Sequence, residues 1–265
     1  MNLGTKVTAL IMAASRGPDD PMARAFQAEH KCLIKINAIP MLVRVVQTLK
    51  VVREIGSIGV SIDTGEALKK IPALDQLVPF KSADSAPKSV AAAISQMSQP
   101  FPLLVTTADH PLLTPQMVEY FLRHAQATGA DIVAGLAGRT DVENVDRSVK
   151  RTYFKFRDGE FSGCNLFYLS SENAMNAVRF WHKVDKQRKR PLALARMFNA
   201  VVLIKYLLGR LTLKDGLENM SKLLKVRADA VILPWGEAAI DVDKPEDYKL
   251  VTRLLKKRRQ KITTT

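Results

Sequence analysis

A short apolar run near the start of the chain constrains the fold more than any other feature. Residues 7–14 read VTALIMAA and are flanked by polar residues. Such a run is typical of a β-strand buried on both faces, as in the interior of a parallel sheet. A signal peptide is the alternative, but the single lysine before the run supports it weakly. We therefore expect a first strand inside an α/β domain.

The segments that follow alternate between strand and helix patterns. Strand patterns cover residues 57–62, 102–107, 131–136, 165–169 and 230–233, and helix patterns cover residues 41–52, 88–97, 114–124 and 245–257. The alternation predicts a Rossmann-like, doubly wound, mostly parallel sheet in one domain spanning residues 1–265. A hairpin pattern over residues 151–161 predicts a small β-hairpin and helical insertion, which we place at residues 150–228.

The net charge is concentrated in two segments. Of a formal +14, residues 179–196 hold +6 and residues 256–265 hold +5, so the remainder is nearly neutral. No known nucleic-acid-binding motif accompanies these cations, and no nucleic acid is expected as a partner. We interpret residues 256–265 as a basic tail exposed to solvent. The first segment suits an anionic ligand, and its Arg188 and Lys189 are candidates for holding an acceptor phosphate.

An apolar stretch over residues 192–213 follows the basic cluster, with Lys205, Gly209 and Arg210 among its few interruptions. We expect most of it to pack as helix in the core. A face resting on a membrane surface is the alternative, favoured by the flanking cations. No uninterrupted apolar run reaches the roughly 18 residues of a spanning helix. The expected location is the cytoplasm, with peripheral contact at the inner face of the membrane left open.

A loop of small residues follows the first strand, where open α/β sheets bind their ligands. Residues 13–17 read Ala-Ala-Ser-Arg-Gly. Small side chains let a base and phosphates approach the backbone, whose N–H groups donate to phosphate oxygens. Arg16, Arg24 and Lys31 add cations suited to the charge that develops on a leaving pyrophosphate. A tight turn without a ligand is the alternative.

Two aspartates at predicted strand ends are candidate metal ligands. Asp109 follows the strand over residues 102–107, and Asp243 precedes Lys244 and Pro245. One or two carboxylates together with phosphate oxygens are the ligands that Mg²⁺ prefers. Helix capping is the alternative for both residues. Asp241 competes with Asp243, because alternation along a strand would send both side chains to the same face.

Six features occur in order over most of the chain, namely LIMAASRG at 10–17, Lys31, PML at 40–42, KSV at 88–90, TTADHPL at 106–112 and DVDKPED at 241–247. In order and spacing they resemble the motifs of MobA-like NTP transferases, a family of nucleotidyltransferases.

The resemblance implies a glycosyltransferase-A-type fold, as in nucleotide-diphospho-sugar transferases. It implies transfer of a nucleotidyl group from an NTP, with CTP or GTP favoured, to a small phosphorylated acceptor, with Mg²⁺ as cofactor and pyrophosphate as product. The implied site residues are Ala13, Ala14, Ser15 and Gly17 for base and phosphates, Ser89 near the base or ribose, Lys31 with Arg16 or Arg24 for the triphosphate, Asp109 and Asp243 for Mg²⁺, and Asn165 for the acceptor.

Three positions depart from the family pattern. Ser15 and Ala38 stand where the family usually has glycine, and no glycine precedes Lys88. A Cβ atom is unfavourable wherever the backbone needs a positive φ. A catalytically silent nucleotide-binding protein therefore stays open as an alternative. A glycosyltransferase that uses an NDP-sugar on the same fold is a second alternative, against which the Lys31 loop argues, because such enzymes do not release pyrophosphate.

Overall fold

The protein is built around one central sheet. The computed structural model describes residues 5–13, 20–63, 65–69, 71–74, 77–187 and 197–263. The strands are β1 Val7–Met12, β2 Lys35–Ile36, β3 Ile39–Pro40, β4 Ile55–Ile62, β5 Val78–Lys81, β6 Leu103–Thr107, β7 Ile132–Gly138, β8 Phe154–Phe156, β9 Gly159–Leu169 and β10 Ala228–Leu233. The sheet has the strand order β10-β7-β9-β6-β1-β4-β5, with β8 paired to β9, and β2 and β3 form a separate hairpin.

Helices connect and cover these strands. They are α1 Pro21–Ala25, α2 Met41–Lys50, α3 Glu66–Lys69, α4 Ala86–Ile94, α5 Pro115–Thr128, α6 Arg139–Val145, α7 Met175–Gln187, α8 Ala200–Leu207, α9 Leu213–Leu224 and α10 Pro245–Thr263. Short 3₁₀ turns occur at Lys31–Leu33, Pro72–Leu74, Glu172–Ala174 and Gly236–Ala239.

The doubly wound, mostly parallel sheet is confirmed. β1 lies inside it and pairs in parallel with β4 and β6, and β7 pairs in parallel with β10. β9 pairs antiparallel with both β6 and β7. The side chains of Leu10 and Ile11 on β1 are completely buried, in clusters that pack on the two sides of the sheet. The apolar run at residues 7–14 thus reflects burial on both faces.

Local sequence signals position the helices near the carboxyl edge of the sheet. Thr114 caps α5 by accepting a hydrogen bond from the Met117 N–H at 3.3 Å, and Pro115 is its first residue. α5 ends at Gly129, whose φ is 61°. A hydroxyl cap at one end and a left-handed glycine at the other satisfy backbone groups that the helix leaves unpaired.

Several sequence-based expectations are corrected by the structure. The predicted strand at residues 165–169 is the end of β9, which begins at the hairpin turn and lies inside the main sheet. Helix α10 continues to Thr263, so most of the predicted basic tail is helical. There Arg258 donates to the Leu112 carbonyl at 2.9 Å and pairs with Glu237. These contacts hold the helix against the body of the protein.

The expectation that residues 192–213 pack largely in the core is wrong for the part that forms α8. None of the residues of this helix is buried. Residues 188–196 lie outside the described part of the chain. Within the described part, no helix is long and apolar enough to cross a membrane.

Candidate functional site

A lysine lies between two aspartates at the carboxyl edge of the sheet. Lys31 Nζ is 2.6 Å from Asp109 Oδ2 and 2.7 Å from Asp243 Oδ1. Lys31 and Asp109 are mostly buried, whereas Asp243 is exposed. We call these three residues the lysine–carboxylate cluster. The structure therefore brings together the predicted triphosphate-binding lysine and both predicted metal ligands.

Backbone hydrogen bonds explain why residues so distant in sequence meet. The Ala108 N–H donates to the Met12 carbonyl at 2.9 Å, joining the ends of β6 and β1. The Val242 N–H donates to the Asp109 carbonyl, also at 2.9 Å. This second bond fixes the segment before α10 against the end of β6. Asp243 therefore lies beside Asp109 because of main-chain pairing.

The charges of the cluster stabilise one another. Burial by itself would lower the pKa of Lys31, but the charge of Asp109 and the hydrogen bonds that Lys31 donates to both carboxylates outweigh burial and raise that pKa above its ordinary value. Lys31 is therefore firmly protonated, and its ammonium occupies a position favourable to a cation.

A second network surrounds Asp241. Arg151 Nη1 donates to Asp241 Oδ1 at 2.5 Å, and Arg151 Nη2 donates to the Asp241 carbonyl at 2.8 Å. Asn165 Nδ2 donates to Asp241 Oδ2 at 2.9 Å. We call these three residues the Asp241 network. Among the described residues, Asp241 is therefore held by one cation and one amide and is not bonded to Lys31.

The backbone at Asn165 directs its side chain. The register of β9 against β7 shifts between Ala134 and Leu136, which face Phe167 and Gly163 respectively. Asn165 lies in this irregularity with a φ of 50°. β-Bulges with an uncommon backbone conformation occur frequently beside functional sites, where they re-aim a side chain. Here the bulge accompanies the contact of Asn165 with Asp241.

Burial raises the pKa of Asp241 to about 6, although Arg151 opposes the shift. The charges of Asp109 and Asp243 raise this pKa further, and the hydrogen bond from Asn165 lowers it. Three carboxylates are thus close enough to repel one another, with Lys31 and Arg151 as counter-charges. Such a concentration of acids is favourable to a bound cation.

The structure distinguishes Asp241 from Asp243, which strand alternation does not. The expectation that both side chains share one face is wrong, because residues 240–243 follow a 3₁₀ turn and form no strand. The side chain of Asp243 also does not cap the following helix, α10, as the alternative interpretation predicted. Instead, Asp247 Oδ2 accepts hydrogen bonds from the N–H groups of Asp243 and Lys244 at 3.1 and 3.0 Å.

The predicted nucleotide-binding loop is described only at its first residue. Ala13 is buried at the end of β1, where its N–H donates to the Ser61 carbonyl at 2.8 Å. The predicted site residues outside the described part are Ala14, Ser15, Arg16, Gly17, Arg188 and Lys189.

Two further predicted residues take different positions. The side chain of Ser89 is completely buried, and its hydroxyl bonds the Ala83 N–H at 2.8 Å and the Ala83 carbonyl at 3.3 Å. It therefore holds the loop before α4, and its place near the base or ribose stays a prediction. Arg24 is exposed on α1, and among the described residues no hydrogen bond or ion pair joins it to the lysine–carboxylate cluster.

Sequence reasoning missed two groups beside the site. Arg151 has no distinguishing local pattern, because its partner is 90 positions away. His30 is buried and bonds Asp63 Oδ1 through Nε2 at 2.6 Å, while its Nδ1 accepts the Cys32 N–H at 3.2 Å. Since Nδ1 accepts, Nε2 carries the proton. His30 thereby ties the turn that carries Lys31 to the end of β4.

The residues present fit a divalent cation held by two carboxylates. Asp109 Oδ1 is buried and, among the described residues, has no hydrogen-bond partner, so it is available as a ligand. In the same part of the chain, no group of three or more His, Cys, Asp or Glu residues is arranged to hold a metal. Two carboxylates suit Mg²⁺, which usually takes its other ligands from phosphates and water.

Comparisons with known proteins agree with this architecture. The family model of the MobA-like NTP transferase domain matches residues 9–197. A hypothetical transferase from Thermus thermophilus is 30% identical, with 92% of this chain and 99% of that chain covered and a TM-score of 0.77. No curated protein matches the chain in sequence.

Two more distant structures share the fold. A 4-diphosphocytidyl-2C-methyl-D-erythritol synthase from Anaerococcus prevotii is 12% identical, with a TM-score of 0.58 over 96% of this chain and 99% of that chain. A CMP:2-keto-3-deoxy-manno-octonic acid synthetase complexed with CTP is also 12% identical, with a TM-score of 0.60 and the same two coverages. With the family model matching most of its length, the chain belongs to the MobA-like NTP transferase family and is a nucleotidyltransferase.

Proposed function

We propose that the protein transfers the nucleotidyl group of an NTP to a small phosphorylated acceptor, with Mg²⁺ as cofactor and release of pyrophosphate. The observation that carries this proposal is the convergence of Asp109 and Asp243 on Lys31 at the edge where such folds bind nucleotides. CTP or GTP is the favoured donor, and CTP is supported by the CTP-bound synthetase that shares the fold.

In the proposed reaction, an oxygen of the acceptor phosphate attacks the α-phosphorus of the NTP. A new phosphorus–oxygen bond forms as the bond between the α-phosphorus and the leaving pyrophosphate breaks. Asp109 and Asp243 would hold Mg²⁺, which supplies neutralisation of the phosphate charge. Lys31 would leave these carboxylates when they bind the metal, and its ammonium would then be available to the triphosphate.

The remaining roles are those that the family resemblance and the charge pattern of the sequence predict. Ala13 at the end of β1, with Ala14, Ser15 and Gly17 after it, would line the base and phosphates. Arg16 or Arg24 would add positive charge to the triphosphate. The side chain of Asn165 contacts Asp241, which supports an acceptor-binding site beside the two proposed metal ligands. Arg188 and Lys189 would bind the acceptor phosphate. We place the enzyme in the cytoplasm, where NTPs are available.

Thermal unfolding in the presence of each NTP tests the proposal directly. A ligand that binds only the folded state raises the melting temperature. We expect one of ATP, CTP, GTP and UTP to raise it strongly with Mg²⁺ and weakly without. Asp109→Asn should abolish the shift. Glu246→Gln should keep it, because Glu246 is exposed in the first turn of α10 and takes no part in the cluster.

Pyrophosphate release then identifies the acceptor class. The NTP selected by the unfolding assay is incubated with sugar phosphates, alcohol phosphates and lipid-precursor phosphates. Release that depends on one acceptor class supports the proposal. No melting shift with any NTP would refute it. Binding of an NTP without turnover on any acceptor would instead favour a catalytically silent nucleotide-binding protein.

A further inference from the structure

One helix presents an apolar face to solvent. Val201, Ile204, Leu207 and Leu208, in or directly after α8, are 60%, 55%, 73% and 62% exposed. Ile204 lies three residues after Val201 and three and four residues before Leu207 and Leu208, which places the four side chains along one side of the helix. We call these four side chains the α8 apolar face. Burying such side chains is favourable, so a face of this kind usually has a partner.

The helix is folded and anchored, so this exposure is a property of the native structure. Asn199 caps α8 by accepting the Val201 N–H at 2.9 Å. On the inner side, the ring of Tyr206 contacts Phe156 with centroids 5.8 Å apart. The Tyr206 hydroxyl also accepts the Lys155 N–H at 3.3 Å. These contacts attach α8 to the β8–β9 hairpin and leave its other side open.

The segments that adjoin the α8 apolar face carry more cations than acids. The exposed cations on α8, on the adjoining hairpin and at the start of α9 are Lys155, Arg157, Lys205, Arg210 and Lys214. The acids on the same segments are Asp158, Glu160 and Asp215. Asp158 Oδ1 accepts the Leu213 N–H at 2.9 Å, and Glu160 pairs with Arg139. Hydrogen bonds from Thr212 are the main cause that lowers the pKa of Asp215, and the charges of Lys205 and Arg157 add to this effect. Cations therefore predominate around the face.

The segment that precedes α8 in the sequence is also positively charged. Residues 188–196, which lead to α8, contain three arginines and one lysine and no acid. An apolar helix face bordered by lysine and arginine is typical of segments that lie in the interface of an anionic membrane. A second copy of this chain would bring cations against cations, since the protein carries a formal charge of +14. The charge pattern therefore favours lipid over self-association.

We propose that the α8 apolar face and the cations around it form a docking surface for an anionic lipid membrane. The four aliphatic side chains enter the boundary between headgroups and acyl chains, and the cations contact the headgroups. The proposal does not depend on nucleotidyl transfer. β9 runs from the hairpin under α8 to Asn165, a distance of about 20 Å at the rise of a β-strand. Docking would thus hold the candidate active site near the membrane surface.

Vesicle sedimentation with the full-length protein tests this surface. We expect co-sedimentation with vesicles of phosphatidylcholine and phosphatidylglycerol in equal parts, no binding to phosphatidylcholine alone, and weaker binding as salt rises. The double variant Ile204→Asp/Leu207→Asp should lose at least about tenfold in partitioning. Val51→Asp is the matched control, because Val51 is 63% exposed at the end of α2, outside this face, and its replacement should change nothing.

Every other outcome overturns the proposal. Equal recovery in the supernatant with and without anionic vesicles removes it. Binding unchanged by Ile204→Asp/Leu207→Asp shows that the α8 apolar face is not the contact. If Val51→Asp loses as much vesicle binding as the double variant, the protein adsorbs to the vesicles without using a specific surface. A dimer in analytical ultracentrifugation that the double variant disrupts, without lipid binding, assigns the face to a second copy. Circular dichroism and the NTP-dependent melting shift verify that the variants fold, and they test the proposed function separately.

Discussion

Replacing Arg151 by methionine should show how much the protein depends on the Asp241 network. The Arg151 side chain is 11% exposed and that of Asp241 is 20% exposed. Arg151→Met removes two hydrogen bonds to Asp241, one to the carboxylate and one to the carbonyl. Removing one member of a buried ion pair leaves an uncompensated charge and costs about 3–5 kcal/mol of unfolding free energy.

The expected change in melting temperature follows from the size of the chain. An unfolding entropy of about 2.1 cal/mol/K per residue gives about 0.56 kcal/mol/K for 265 residues. A loss of 3–5 kcal/mol therefore lowers the melting temperature by about 5–9 °C. The loss should be smaller at pH 5 than at pH 8, because Asp241, with a pKa of about 6, is largely protonated at the lower pH.

Circular dichroism during thermal and urea unfolding measures this effect. Arg253→Met is the matched control, because Arg253 is 62% exposed in its ion pair with Asp146 and such pairs contribute about 0–1 kcal/mol. Combining Arg151→Met with Asp241→Asn should recover much of the lost unfolding free energy, because the unpaired carboxylate charge of Asp241 is then absent. A loss for Arg151→Met no larger than that of Arg253→Met, or equal at both pH values, would refute the reasoning.

Three further changes test separate features. Ala38 has a φ of 68°, so Ala38→Gly should add about 1 kcal/mol of stability in urea unfolding, and no gain would contradict strain at this turn. Lys31→Met should raise Mn²⁺ affinity in calorimetry at least about tenfold, since the competing ammonium is gone; unchanged or weaker affinity would contradict that competition. Burial chiefly lowers the pKa of His110 to about 4. Because the unfolded chain takes up this proton near pH 6.5, about 3 kcal/mol of stability is lost as pH falls from 6.5 to 4. His110→Gln should flatten that slope, and parallel wild-type and variant profiles would count against it.

The order of elements and the three residues of the lysine–carboxylate cluster could be predicted from the sequence. Strands buried on both faces carry continuous apolar runs, and helices carry a period near 3.6 residues, so both patterns are local. The position of Asp109 after a buried strand and the motif that contains Asp243 indicated the cluster with Lys31. The turn at Ala38 also keeps a left-handed backbone conformation, although the glycine usual in the family is absent.

The remaining features depend on contacts between distant segments. Arg151 meets Asp241 across 90 positions, and no local pattern marks either residue as the partner of the other. Asp241 and Asp243 are equivalent under strand alternation, but the backbone bond from Val242 to Asp109 gives each a different neighbour. Ser89 has the residue type of a ligand contact, yet its hydroxyl is used by the adjacent loop.

The sequence by itself determined the α/β class, the cations and acids of the candidate site and the apolar character of α8, because these are properties of composition and period. Only the tertiary structure decided which faces are covered. The same apolar composition is buried in β1 and exposed in α8, since burial depends on what the rest of the chain packs against each segment. Likewise, tertiary pairing decided which carboxylate contacts which cation.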